Sequence, residues 1–317
     1  MDAIKDLIDR RNHPITLHVM PTERCNLRCK FCSVADRGRE GRLFPDLYFG
    51  IIEDVVYRMI PLGLKAVIIS GGGEPTLYAS LGRLLKFLKE MKLDVGLITN
   101  GAVLNNAHFT DSTVCWIRVS ANTWDYLPSA DIIPRVPENI TVGMSYVWPG
   151  GGGMPPAMEK IQKAIRSHPI RYVRLIPDCN LPPDQFDAAN HFLRRKAAEL
   201  GPPFFHQRKF LVQPRECHLG RVHPVLYTDG YIYPCDSLVL NSPSDDRRFH
   251  PDYALCRWDR VEEFYWDKEI SGSLIDTAKC PRCVFSVQNE LLSDIIAGHL
   301  PIEWDNELPR LEHVNFI

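Results

Sequence analysis

The chain is 317 residues long, 45% apolar, 24% charged and 10% aromatic, an ordinary globular composition that excludes a disordered, collagen-like or coiled-coil protein. At roughly 150 residues per domain this predicts one enzyme-sized domain with a smaller one attached, and no run of about eighteen apolar residues is present to span a membrane. With 37 basic against 39 acidic side chains the net charge is −2, which argues against a protein built chiefly to grip a phosphate backbone.

The segment Lys160 to Arg221 departs from that balance, with twelve Lys/Arg against five Asp/Glu, a local +7. It reads either as a solvated helix face, such as Arg194, Arg195 and Lys196, or as a cleft for an anionic substrate. Met1 to Arg11 mixes acids with bases and has no apolar stretch ending in small residues, so no secretory signal is read and the cytoplasm is the expected compartment.

In chain order, a strand is predicted over Ile15 to Met20, then a cysteine-rich loop and a helix over Leu47 to Ile60 with apolar residues at helical spacing. Ala66 to Ser70 reads as a buried strand stopping at Gly71-Gly72-Gly73, followed by a helix over Leu81 to Met91. Strand Val95 to Thr99 ends at the turn signal Asn100-Gly101. Strands Val114 to Ser120, Ile140 to Trp148 and Tyr172 to Ile176 follow, with helices Ala157 to Ser167 and Gln185 to Leu200. Six strands mostly followed by helices predict an α/β fold, a parallel sheet curled into an open partial (β/α)6 barrel, with ligands beyond the carboxyl ends of the strands.

After about Phe210 the texture changes, and a domain boundary is predicted there, separating residues 1–210 from 211–317. Val225 to Thr228 and Tyr231 to Tyr233 flank Asp229-Gly230, a β-hairpin signal. A charged linker, Ser242 to Pro251, leads to short helix Val261 to Trp266, to Cys280, and to a helix over Val284 to Ile296. The second domain is therefore a small α+β unit of one hairpin plus helices. The tail Pro301 to Ile317 matches no pattern.

Ten cysteines in a chain with no export signal read as metal ligands rather than disulfides. Cys25-Asn-Leu-Arg-Cys29-Lys-Phe-Cys32 has the spacing C-x3-C-x2-C directly after the first strand. Three such thiolates suit three irons of one cubane, leaving the fourth iron open for chemistry. The alternative is a zinc knuckle completed by a residue such as His18.

This cysteine loop, with Phe31 just before its third cysteine and Gly71-Gly72-Gly73-Glu74-Pro75 after the second strand, resembles the radical SAM superfamily. The resemblance implies a [4Fe–4S] cluster on Cys25, Cys29 and Cys32, with S-adenosylmethionine held by Gly71, Gly72, Gly73 and Glu74 around its amino group and by Phe31 against its adenine. Asn100, Arg118, Ser120 and Asn122 stand where that family places further polar contacts. It also implies reductive cleavage to a 5′-deoxyadenosyl radical, hydrogen abstraction from an unactivated carbon, and an electron donor such as flavodoxin or ferredoxin.

In the C-terminal part, Cys217, Cys235 and the C-x2-C pair Cys280 and Cys283 resemble the twitch extension, a truncated SPASM domain. The spacing is similar to that of the butirosin-pathway dehydrogenase that oxidises an aminocyclitol alcohol. The resemblance implies a second, auxiliary [4Fe–4S] cluster on these four residues; a structural zinc site also favours four thiolates, and Cys256 stands near enough in sequence to replace one of them. Such a cluster suits an electron acceptor in a dehydrogenation, while rearrangement or epimerisation stays open.

Cys256 and Cys179 are candidate hydrogen-atom donors, Cys115 a packing residue, Arg174 a candidate anion contact, and His206, His218, His223 and Asp178 candidate bases. The run Pro149 to Pro156 is either a flap over the substrate or a permissive loop. With the first strand starting near Ile15, no leader-binding domain is expected. A small polar, anionic metabolite is therefore the first-choice substrate, a phosphate-bearing sugar or a nucleotide among the options, ahead of a peptide or a nucleic-acid base. The non-enzyme alternative is an iron–sulfur or zinc scaffold that binds a partner.

Overall fold

A computed structural model describes residues 12–32, 44–109, 113–148, 155–210, 212–240, 253–266, 272–280, 283–299, 313, 315 and 316. Met1 to Arg11, the run Pro149 to Pro156, the linker Ser242 to Pro251 and the tail Pro301 to Ile317 lie wholly or largely outside the described residues. The chain divides into two compact units, one of residues 1–21, 46–68 and 210–317, the other of 22–45 and 69–209.

The first unit contains β1 (Thr16–Val19), α1 (Phe49–Met59) and β2 (Ala66–Ile69), followed much later in the chain by β8 (Val225–Leu226), β9 (Tyr231–Tyr233), α6 (Asp236–Leu240), β10 (Cys256–Arg257), α7 (Val261–Tyr265) and α8 (Ser286–Ile296). Its strand order is β10-β9-β8-β1-β2. The predicted hairpin forms as antiparallel β8 and β9. Gly230 at its tip has φ +81°, a left-handed conformation that favours glycine, and the Asp229 carboxylate accepts from the Tyr231 N–H at 2.9 Å.

Two features of this unit were not foreseen from the sequence. β8 pairs in parallel with β1, with His18 opposite Val225, so the hairpin extends a sheet that the N-terminal strand starts, and two-residue β10 adds antiparallel to β9. Helix α1 buries Phe49, Ile52, Val55, Val56 and Met59, the three-to-four-residue spacing of an amphipathic helix.

The second unit contains α2 (Leu81–Glu90), β3 (Asp94–Thr99), β4 (Val114–Ser120), α3 (Thr123–Tyr126), β5 (Thr141–Trp148), α4 (Pro156–Ser167), β6 (Ile170–Pro177), α5 (Pro183–Leu200) and β7 (Phe204–His206). Strands β3 to β7 pair in parallel, each with the next. Strand β7 is absent from the sequence expectation. Parallel neighbours require crossovers, and α4 and α5 supply those from β5 to β6 and from β6 to β7. The predicted helix and strand cores recur here with ends shifted by one or two residues. The fold is mixed α/β with parallel strands, as expected for a partial (β/α)6 barrel and a small C-terminal domain.

The strands fit together through two glycine–aromatic pairs. A Cβ on Gly96 would lie 2.1 Å from the Trp116 ring, and one on Gly143 would lie 2.1 Å from the Tyr172 ring. In both cases the partner is opposite in register, so the bulky ring covers the backbone of the strand beside it. Gly143→Ala is expected to lower unfolding free energy by about 1–3 kcal/mol, the usual cost of overpacking. Urea denaturation that leaves the midpoint unchanged would contradict this packing.

Candidate active site

The second unit brings the N-terminal cysteines together on the loop after β1. The Cys32 N–H donates to the Cys29 carbonyl at 3.2 Å, and the Leu27 N–H donates to Cys25 Sγ at 3.5 Å. The loop is tied from outside as well. The Lys30 N–H donates to the Tyr126 hydroxyl at 2.8 Å, and the Asn180 amide donates to the Phe31 carbonyl at 3.0 Å.

Burial pushes the Cys29 thiol up to about 12, reinforced by the neighbouring Cys32 and Cys25, and burial also raises Cys25. The three thiols are thus close enough to oppose one another's ionisation. None of the ten cysteines is in a disulfide.

The glycine loop packs on this loop through backbone. The Gly73 N–H donates to the Thr22 carbonyl at 3.1 Å and the Glu74 N–H to the Arg24 carbonyl at 2.8 Å. A Cβ on Gly73 would stand 2.2 Å from the Arg24 carbonyl oxygen, so the approach of the two loops requires glycine there.

Glu74 is 2% exposed. Its Oε1 accepts from the Thr76 N–H at 3.0 Å, the Thr76 hydroxyl at 2.8 Å and the Thr99 hydroxyl at 2.6 Å, and Oε2 accepts from the Asn100 N–H at 2.6 Å. Desolvation raises its pKa while these bonds pull it back. The carboxylate therefore locks the glycine loop to the end of β3, and Oε2, with one internal partner, retains the greater acceptor capacity.

Asn100 continues the network. Its amide donates to Asn26 Oδ1 at 2.7 Å and to Cys25 Sγ at 3.9 Å, while its carbonyl accepts from the Thr123 hydroxyl at 2.6 Å. A turn residue in the sequence thus becomes a direct neighbour of the first cysteine. Arg118 and Ser120 lie on one face of β4, with the Arg118 guanidinium 5.6 Å from the Trp116 ring centroid.

Asn122 follows at the end of β4. It is 1% exposed, its amide donates to the Val147 carbonyl at 2.8 Å and to Asp125 at 3.1 Å, and its oxygen accepts from the Val147 N–H at 2.7 Å. Its side chain clips the end of β4 to β5.

Among the candidate bases, His206 follows Phe205 on β7 and is opposite Leu175 in register. It meets Asn190 of α5 at 3.1 Å and lies on the helix-covered face. Its pKa is lowered by burial and then by Arg208 and Arg194. Asp178 caps the next turn, its Oδ1 accepting from the Asn180 N–H at 2.8 Å. Cys179, between them, lies on the loop that holds Phe31. Arg174 donates from Nη1 to Gln207 at 2.7 Å. His218, His223 and Cys256 belong to the first unit.

That unit gathers the other four cysteines. Cys217, Cys235, Cys280 and Cys283 line one small cavity with Leu219, Leu238 and Phe285, and Cys256 is not among its walls. Burial raises the Cys217 thiol to about 12, with Cys283 and Cys280 adding to it. Among the described residues no group of three or more His, Cys, Asp or Glu side chains forms the shell of a single metal ion.

Asn289, which no sequence motif marked, is part of the wall of this cavity and is 2% exposed. Its Oδ1 accepts the N–H groups of His218 at 2.6 Å and Leu219 at 2.9 Å, and Nδ2 donates to the Phe285 carbonyl at 3.1 Å. It thereby joins the segment after Cys217 to the turn after Cys283. His218 is buried between Glu216, at 3.0 Å, and Arg221, whose Nε donates to its Nδ1 at 3.1 Å. The His223 ring lies 5.8 Å from that of His18.

Residues 19–133 match the radical SAM superfamily. That stretch is similar to a radical SAM domain. A probable GTP 3′,8-cyclase of Pyrococcus horikoshii is 36% identical over 101 residues, 31% of this chain and 31% of that protein. An S-adenosylmethionine-dependent nucleotide dehydratase of Lacinutrix mariniflava is 29% identical over 105 residues, 32% of this chain and 22% of that protein. The match to the cyclase covers less than a third of that protein's length. SuiB of Streptococcus suis, solved with S-adenosylmethionine, superposes with a TM-score of 0.57 at 15% identity, covering 82% of this chain and 67% of that one; at that identity the likeness concerns the fold.

A radical SAM domain implies a [4Fe–4S] cluster and S-adenosylmethionine, and the residues present fit both. Three converging thiols are available outside disulfides, and loops tied by buried polar groups surround them.

Two substitutions test these supports. Glu74→Gln must turn its NH2 toward either the Thr76 or the Asn100 N–H, because these obligate donors sit on different oxygens. A stability loss of about 1–3 kcal/mol in chemical denaturation is expected, and a wild-type midpoint would refute the carboxylate's structural role. Asn289→Ala leaves the His218 and Leu219 N–H groups without their acceptor. It is expected to cost about 1–3 kcal/mol, read as faster amide exchange at those two positions; unchanged exchange would count against the clamp.

Proposed function

We propose that the chain is a radical SAM enzyme in which residues 1–210 hold S-adenosylmethionine against a [4Fe–4S] cluster on Cys25, Cys29 and Cys32. Residues 211–317 form a twitch domain with an auxiliary [4Fe–4S] cluster on Cys217, Cys235, Cys280 and Cys283. The observation that carries this reading is the convergence of three thiols on a loop whose packing depends on Gly73, Glu74 and Asn100.

When bound, S-adenosylmethionine with the reduced cluster supplies a 5′-deoxyadenosyl radical for hydrogen-atom abstraction, and the auxiliary cluster supplies an electron acceptor for a net dehydrogenation. The chain's own residues bind and orient. Phe31, its carbonyl fixed by Asn180, faces the adenine, and the Gly71 to Glu74 loop takes the amino group. Arg118 and Ser120 take the carboxylate and ribose. Cys179, on the loop that holds Phe31, or Cys256 serves as hydrogen-atom donor if the reaction ends by quenching a substrate radical. Placing these groups on strand ends gives the aim of the substrate carbon a rigid base.

The substrate in this reading is a small anionic metabolite, such as a phosphate-bearing sugar or a nucleotide. The +7 segment Lys160 to Arg221 supports it, as do the names of relatives that act on GTP and on nucleotides. Those names also favour a second reading, a radical rearrangement of a nucleotide. The electron donor is a flavodoxin or ferredoxin, and the compartment the cytoplasm; no helix among the described residues is long and apolar enough to cross a membrane.

Iron and labile sulfide per chain after anaerobic reconstitution test the assignment. About eight irons are expected in the wild type and about four after Cys25, Cys29 and Cys32 are all changed to Ala, with loss of 5′-deoxyadenosine formation. An iron content unaffected by the triple change would refute the N-terminal site. About four irons falling to none, with zinc present in both proteins, would refute the auxiliary cluster.

A further inference from the structure

Reduction of an iron–sulfur group adds one negative charge, shared by its sulfurs, so N–H donors aimed at those sulfurs stabilise the reduced state more than the oxidised one. The cavity lined by Cys217, Cys235, Cys280 and Cys283 is walled mainly by apolar side chains such as Leu219, Leu238, Ile275 and Phe285. In such a medium each donor counts for more than it does in water.

Two residues of this wall carry other polar side chains, Thr277 and Asn289. The Thr277 hydroxyl has one proton, which goes to the Arg215 carbonyl at 3.2 Å. Asn289 has two amide protons. One goes to the Phe285 carbonyl at 3.1 Å, and the second is left for the cysteine side of the residue. Cys283 lies there: burial raises its thiol, and the Phe285 N–H and the Asn289 amide oppose that rise.

The oxygen of the same side chain acts at another cysteine. Oδ1 receives the His218 and Leu219 N–H groups at 2.6 and 2.9 Å. Burial raises the Cys217 thiol, with Cys283 and Cys280 adding to it, and the Leu219 N–H opposes them. One carboxamide therefore offers a donor at Cys283 and holds a second donor in place at Cys217.

We propose that Asn289 sets the reduction potential of the auxiliary cluster, donating to the Cys283 sulfur and positioning the Leu219 N–H at the Cys217 sulfur, so that the cluster accepts an electron more readily. This rests on the reading of the four cysteines as ligands of a [4Fe–4S] group. Asn289 is a positioning residue that acts through the two sulfurs. A single electron enters the cluster, and no bond is made or broken at Asn289.

The test is a dithionite titration with mediator dyes, followed by electron paramagnetic resonance, on the reconstituted chain with Cys25, Cys29 and Cys32 changed to Ala, in which the auxiliary cluster is the one observed. Asn289→Leu removes both donor and acceptor, and Asn289→Asp keeps the acceptor and removes the donor. Both are expected to lower the potential, by about tenfold in the reduced-to-oxidised ratio at a fixed potential, or about 59 mV for a one-electron couple. The direction separates this role from a merely structural one. A variant that only loosens the cavity admits water, which favours the more charged reduced state and raises the potential.

A measurement with Asn289 in place does not depend on either variant folding. With asparagine labelled by nitrogen-15 in its side-chain amide, pulsed paramagnetic resonance of the reduced cluster should show coupling to that nucleus. An iron-loaded variant of either kind with an unchanged or raised potential, or absence of the nitrogen-15 coupling, would overturn the role of Asn289. A triple-alanine chain that binds no iron would instead sink the reading of the four cysteines, and this role with it.

Discussion

A buried carboxylate organises the cysteine-loop end of the second unit. Taking Glu74 out of water costs several kcal/mol unless its charge is met by donors. Four are supplied, two from Thr76, one from Thr99 and one from Asn100. Because the donors come from the glycine loop itself and from the end of β3, satisfying the charge fixes one segment against the other. The N–H groups of Gly73 and Glu74 in turn hold the Thr22 and Arg24 carbonyls at the entrance to the cysteine loop. The placement of Cys25 thus depends on a residue 49 positions later in the chain.

The two faces of the sheet in this unit differ in chemistry. Val119, Met144 and Val173 are fully buried on the packed face, while the opposite rows carry Arg118, Ser120, Ser145 and Arg174. Uniformly large residues on that second face would fill it, and uniformly small ones would leave it without a floor. Pairing Gly96 with Trp116 and Gly143 with Tyr172 closes the lower part with rings and leaves the strand ends to polar side chains. Strand-end chemistry of this kind is the general habit of α/β folds, and here it follows from the order of large and small residues along three strands.

Much of this was legible in the sequence because the signals are local. Apolar runs bounded by Gly, Asn and Pro placed the strands of the second unit to within about two residues, and Asp229-Gly230 marked the hairpin. The cysteine spacing and the glycine triplet pointed to one loop cluster before any contact was known. What escaped depends on partners distant in sequence. Nothing near Val225 says that it pairs with His18, and a three-residue strand such as Phe204–His206 is too short to show a period. Asn122 reads as a polar residue after the fourth strand; only the position of Val147 shows what its side chain ties together. Asn289 looked like an ordinary helix residue, since its two backbone partners lie 70 and 71 positions away.

The two groups of cysteines, each within its own unit, are built by one physical device. In both, thiols are crowded and partly or wholly buried, so burial and mutual repulsion raise their pKa values and favour the protonated form. In both, a buried side chain that is not itself a cysteine holds the surrounding backbone: Glu74 with Asn100 in one, Asn289 in the other. Such a frame keeps the thiols gathered when nothing neutralises them, at the cost of fixing groups that would otherwise separate. A metal seated on such thiols would require loss of the thiol protons and so be coupled to pH. Rigid support from residues outside a ligand set is the general means by which a site with three thiols would stay open at a fourth position.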